Sequence, residues 1–138
     1  MAFRIQQPVR HPDVDRAGIV YFPRFYDFFH RALEDFFREE VKLPYYELGE
    51  KLGIALPVVR IESDFDAPLA HGDLVTVELE TEKLGIHALT LRYRVFRPAS
   101  PMPAALSRIV VCAIEVPGWR KTRIPEQVRR AFERHLAR

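Results

Sequence analysis

The stretch DVDRAGIVYFPRFYDFFHRALEDFF, residues 13–37, joins two carboxylates, a glycine and a proline to a long aromatic run. Phe25, Phe28, Phe29, Ala32, Leu33, Phe36 and Phe37 fall at i, i+3, i+4, i+7, i+8, i+11 and i+12. This spacing makes one face of an α-helix, expected at about residues 24–40. Pro23 suits the first helical position, where the missing N–H costs nothing. The stripe is broad and aromatic, so it needs a large apolar cover such as a sheet. Before it, residues 12–23 hold Pro12, Gly18 and Pro23 and are expected to be loop.

Working outward, FRIQQPVR (3–10) suits a first strand, and PYYELGEKLG (44–53) a short second helix ending at glycine. From residue 58 the period changes to two. Val59, Ile61, Ser63 and Phe65 share a face in 58–66, as do Val75, Val77 and Leu79 in 74–82. Leu89, Leu91, Tyr93 and Val95 do the same in 88–96. In 105–116, Leu106, Val110, Cys112, Ile114 and Val116 form a nearly apolar line. One-sided alternation predicts an antiparallel sheet with one covered face. A turn near Gly85 would set Glu78 opposite Arg92. RPASPMPAA (97–105) has the composition of a loop. PEQVRRAFERHLAR (125–138) predicts a closing helix with Val128, Ala131, Phe132 and Leu136 inward.

The totals narrow the function. A chain of 138 residues is one domain, able to bury about two-thirds of its unfolded surface. Hydrophobic residues make up 48% and charged residues 29%, a globular composition. A net charge of +2 gives no bulk attraction to nucleic acid or membrane. Lone Cys112 excludes an internal disulfide, fits a reducing compartment, and sits in an apolar strand as a core residue would. The N-terminus lacks the apolar core of a signal peptide, and no apolar run nears the ~20 residues of a membrane span. The expected location is cytoplasmic.

VDRAGIVYFPRFYDFF (14–29) resembles the loop and helix start of the 4-hydroxybenzoyl-CoA thioesterase family of hotdog-fold enzymes. The resemblance continues through LPYYELGEKLGIALPVVRIESDFDAPLAHGDLVTVELE (43–80) and covers roughly residues 3–116. It implies an α+β hotdog fold, with a curved antiparallel sheet wrapped around a long central helix, in a single domain over 1–138. It also implies hydrolysis of an acyl-CoA thioester to free acid and CoA, without metal or redox cofactor. Following the family's aryl-CoA members, an aromatic or short acyl group is expected.

The resemblance also implies roles. Asp15 matches the catalytic carboxylate, acting on the thioester carbonyl as nucleophile or as general base for water. The backbone N–H of Phe22 matches the group that polarises that carbonyl. Helix-start N–H groups lack intrahelical partners, and the dipole there favours negative charge. Gly18 would let the loop approach substrate, with Tyr21 and Pro23 beside it and His30 reaching the acyl group. Some aryl-CoA members grip CoA phosphates with an Arg/Lys cluster, where EKLGIHAL here keeps only Lys83 and His87. Arg60, Arg108 or the segment GWRKTR are the alternatives. The family assembles as homodimers or homotetramers with active sites at the subunit interface.

Other readings of the same residues stand beside these. Asp15 could cap a turn, since aspartate before glycine is common in loops. Asp13 could orient Asp15 or the loop, or be solvated. His11, Asp13 and Asp15 alternate as metal ligands can, but no further ligand follows at metal-like spacing. The arginines of 120–138 make a solvated helix face. A non-catalytic acyl-CoA-binding module, a thioesterase acting on acyl carrier protein, and a hotdog dehydratase are the alternative functions. The last would use a helix histidine that the matching position lacks.

Overall fold

The computed structural model describes residues 2–138. The aromatic stripe forms α1 as its spacing requires. After β1 (Phe3–Pro8), α1 spans Phe25–Phe36 and continues through one wider turn, Phe37–Val41. Phe25, Phe28, Phe29, Ala32, Leu33, Phe36 and Phe37 are all buried. Lys42 ends the helix in the left-handed region, at φ 65°. The second helix expected at 44–53 is two irregular turns, Tyr45–Glu47 and Leu48–Leu52, stopped by Gly53 at φ 67°.

The strands follow: β2 (Ile54–Ala55), β3 (Val58–Phe65), β4 (Leu74–Leu84), β5 (Ala88–Phe96), β6 (Pro103–Cys112) and β7 (Ile114–Glu115). The helix α2 (Glu126–Glu133) comes last. Five strands make one antiparallel sheet in the order β1-β4-β5-β6-β3, and β2 pairs with β7. The inner face presents Val75, Val77, Leu79, Leu89, Leu91, Tyr93 and Val95 to one core shared with α1. A long helix covered by a single antiparallel sheet is the hotdog arrangement. At the far end Phe36 stacks on Phe132, with ring centroids 4.5 Å apart. Thr81 ties the tail to β4. Its Oγ1 donates to the Phe132 carbonyl at 2.9 Å, its N–H to the His135 carbonyl at 2.9 Å, and its own carbonyl accepts the Ala137 N–H at 2.8 Å.

Several expectations need correction. The inward face of β6 is Ala105, Ser107, Ile109 and Val111, while Leu106, Val110 and Cys112 are half-buried on the other face. Exposed Arg108 lies on that other face and marks it as the outward one, among otherwise apolar neighbours. Cys112 is therefore not a core residue. Glu78 faces Arg94 and Glu80 faces Arg92, because the turn is centred beyond Gly85, between Ile86 and His87, and a bulge at Glu82 then shifts the register by one. The loop after β5 ends by Pro103, since Ala104 and Ala105 are buried in β6. Leu136 is exposed, and His135 takes the buried place instead. Finally, β3 forms one of the sheet's two edges, opposite β1, and Val59, Ile61 and Phe65 are exposed rather than covered.

Candidate active site

The loop before α1 folds as a small hairpin. Val14 bridges Val20, and the Asp15 N–H donates to the Ile19 carbonyl at 2.9 Å. Its tip is closed by Asp15 itself: Oδ1 accepts the Ala17 N–H at 2.8 Å and the carbonyl accepts the Gly18 N–H at 3.0 Å. Gly18 sits at φ +79°, where a side chain would be strained even though open space surrounds it. Two bonds pin the hairpin to the segment before β4, from the Val20 N–H to Leu69 and from the His71 N–H to Gly18. Gly72 and Asp73 shape that segment, with Asp73 Oδ2 accepting the Ala70 N–H at 2.9 Å.

The two aspartates part company here. Asp13 is 4% exposed. Its Oδ2 accepts the Arg10 N–H at 3.0 Å, its Oδ1 lies 3.8 Å from Arg31, and its carbonyl accepts the Tyr21 N–H at 3.1 Å. It fastens the loop to the helix. Asp15 is exposed at the tip, and its Oδ2 takes no donor among the described residues. His11 packs near His71 and stays exposed. No group of three or more His, Cys, Asp or Glu among the described residues is placed to hold a metal.

Phe22 opens a single tight turn, Phe22–Arg24, that leads directly into α1, with Pro23 second. Its N–H meets no acceptor among the described residues. Its ring is 57% exposed and lies 6.1 Å from Phe65 on the edge strand β3. Tyr21 packs edge-on against Phe22. The structure thus gives a free donor at the helix start and a carboxylate with one free oxygen on the adjoining hairpin.

One helical turn beyond Phe22, a cavity of about 260 Å³ opens between α1, the turn at Tyr45, and the inner faces of β3, β5 and β6. Tyr26, His30, Tyr45, Ile61 and Tyr93 are among its walls. Phe65 stands between the cavity and Phe22, with its ring 6.3 Å from Tyr26 and 5.0 Å from Phe25. Tyr26 Oη shares a hydrogen bond with Ser63 at 2.9 Å, and Ser63 with Ser107 at 2.8 Å. His30 stands at the mouth, edge-on to Tyr45 at 5.0 Å, with its Nε2 3.7 Å from Glu34. Tyr45 and Tyr93 escape a reading of the sequence that assigns one to a turn and the other to a strand core. Their signal is chemical, since a buried phenol needs a partner for its hydroxyl.

Lys83 and His87 lie away from this cavity. Lys83 lines a groove on the outer face of the sheet with Arg60, Glu82 and Arg108. In that groove Arg108 is held by Glu82 at 2.7 Å and Arg60 by Glu62 at 3.0 Å. His87 is a brace: its Nδ1 lies 2.8 Å from the Thr122 carbonyl, which fixes Nδ1 as the protonated nitrogen. In GWRKTR, Arg120 pairs with Glu115 at 3.5 Å, while Lys121 and Arg123 are exposed.

Comparison with known proteins bears on this site. Residues 9–132 match the thioesterase-like superfamily. A 1,4-dihydroxy-2-naphthoyl-CoA hydrolase of Prochlorococcus marinus is 32% identical over 96 residues, 65% of this chain and 62% of that one. The enzyme of the same name from Nostoc punctiforme is 27% identical over 128 residues, 93% of this chain and 84% of that one. The crystal structure of a 1,4-dihydroxy-2-naphthoyl-CoA thioesterase from Synechocystis superposes with a TM-score of 0.87 at 27% identity, over 96% of each chain. Helix, sheet and sequence agree, and the chain belongs to the thioesterase-like superfamily as an acyl-CoA thioesterase.

Proposed function

We propose that this thioesterase hydrolyses aromatic acyl-CoA to free acid and CoA, in the manner of the 4-hydroxybenzoyl-CoA branch of the superfamily. Asp15 attacks the carbonyl carbon or activates the water that does, and the Phe22 N–H holds the carbonyl oxygen. The observation that carries this reading is the unpartnered Phe22 N–H at the start of α1, one turn from an apolar, tyrosine-lined cavity. An N–H left free at a helix start stabilises the charge that builds on oxygen in the transition state. The cavity walls suit a flat ring rather than a polar chain. The relatives named above act on aryl-CoA substrates, in line with this preference.

Two routes balance the reaction. As base, Asp15 takes a proton from water; the hydroxide adds to the carbonyl, CoA thiolate leaves, and that proton goes to the sulfur. As nucleophile, the carboxylate displaces CoA thiolate to give a mixed anhydride that water then cleaves. Single-turnover hydrolysis in oxygen-labelled water separates them, because only the anhydride route carries label into Asp15. Thiol release from benzoyl-CoA should fall by about two to four orders of magnitude in Asp15→Asn. A variant that turns over at the wild-type rate would remove Asp15 from the chemistry.

The active form we propose is a homodimer, or a dimer of such dimers, joined through β3. That strand presents one unpaired edge and exposes Val59 at 61% and Ile61 at 45%. A second chain there would shelter the exposed Asp15 and Phe22. The CoA phosphates then meet basic groups such as Lys83 on the sheet's outer face, or Lys121 and Arg123. A cytoplasmic setting fits the single thiol of Cys112. No helix among the described residues is long and apolar enough to cross a membrane.

A further inference from the structure

Tyr93 is 2% exposed, and its ring packs against Phe29 at 5.0 Å. Its hydroxyl has no hydrogen-bond partner among the described residues. Nor is that hydroxyl sealed away, for Tyr93 lines the apolar cavity beside α1 and its oxygen is not among the orphaned buried atoms. A phenol with no protein partner on an otherwise apolar wall is a point where a polar group of a bound molecule finds a hydrogen bond. The neighbouring hydroxyls are already engaged, since Tyr26, Ser63 and Ser107 bond one another in a chain ending on the Glu62 carbonyl. Tyr93 stands directly opposite Ser107 across the strands yet takes no part in that chain.

We propose that Tyr93 is a specificity-determining residue whose hydroxyl pairs with a polar substituent on the substrate's aromatic ring. This rests on the thioesterase reading and adds to it a residue that selects among aryl groups. The ring enters past Phe65 and lies along α1 between Tyr26 and Leu33, with Phe29 and Ile109 as walls. Burial first, then the nearby Tyr45, pushes the Tyr93 phenol upward in pKa. It therefore keeps its proton and can donate to a ring oxygen while accepting from a ring O–H. A site built around such a group binds an unsubstituted ring less well, because the phenol then stays unpaired.

The test compares wild type with Tyr93→Phe on benzoyl-CoA and the monohydroxybenzoyl-CoA isomers. The substitution keeps the ring that fills the core, and thermal unfolding checks that it does. For at least one hydroxylated isomer kcat/KM should fall about tenfold, while benzoyl-CoA, relieved of the unpaired phenol, is turned over at least as well as by wild type. Equal loss on all substrates, or no loss on any, overturns the proposal. Calorimetric binding of the free hydroxybenzoates and benzoate gives an independent answer. Should wild type turn over none of the thioesters, the thioesterase reading fails, and binding decides alone. A wild-type preference for a hydroxylated acid that vanishes in Tyr93→Phe supports the role, and equal binding of the acids by both proteins ends it.

Discussion

Two carboxylates only two positions apart end in opposite surroundings. Asp13 sits inside the protein, bonded to the Arg10 N–H and near Arg31, and acts as a fastener. Asp15 stands at a hairpin tip with one oxygen spent on the turn and one left over. Turn capping and chemistry are compatible here, because a carboxylate has room for both. Spacing alone does not separate the two, since neither burial nor partner is written in it, although Asp13 ends one turn and Asp15 begins the next. The conformation of Gly18 also belongs to this scale. At φ +79° an alanine would be strained by about 1–2 kcal/mol. Gly18→Ala should therefore lower urea-unfolding stability by that amount, and should reduce turnover as the tip shifts.

Among the elements, α1 was fully legible. Seven apolar residues repeat at helical spacing, and all seven are buried. The strand β5 was legible for the same reason at period two. By contrast β6 shows its limits, because both of its faces are largely apolar and only the exposed Arg108 marks the outward one. In the β4–β5 hairpin the turn lies beyond Gly85 and a bulge follows at Glu82, and neither is marked in the composition. Its corrected register pairs Glu80 with Arg92 at 2.7 Å and brings Arg94 to 3.8 Å. Burial alone would raise the Glu80 pKa, but the Arg92 hydrogen bond and the charges of Arg92 and Arg94 outweigh it and hold the carboxyl below its ordinary value. A depressed carboxyl stabilises the fold above the unfolded-state pKa, near 4.5, and loses that contribution as pH falls through the folded one. Glu80→Gln should accordingly be less stable than wild type at neutral pH, with the gap closing below about pH 4. Chemical denaturation at several pH values reads this directly.

At the scale of the whole molecule, the fold followed from a simple demand: a helix with a wide aromatic face needs a sheet to cover it. The assembled site did not follow, because the cavity beside Tyr93 is made by a helix, a turn and three strands that meet only in space. The open edge of β3 was equally hidden, since its alternation suggested one covered face. If two chains join there, a lysine on that edge should keep them apart. Val59→Lys is expected to elute as a monomer in size-exclusion chromatography and to lose activity without unfolding. A dimer of unchanged size would direct the search to another surface.

The stitching of Thr81 to residues 132–137 has a consequence in time. The partners of this mid-strand residue, Phe132, His135 and Ala137, lie at least 51 positions later in the chain. Until those residues are synthesised, β4 lacks its final ties, and Phe36 lacks the ring that caps it. Completion of this fold therefore waits on residues 132–137, and a chain cut short before them leaves that aromatic surface bare for chaperones to find.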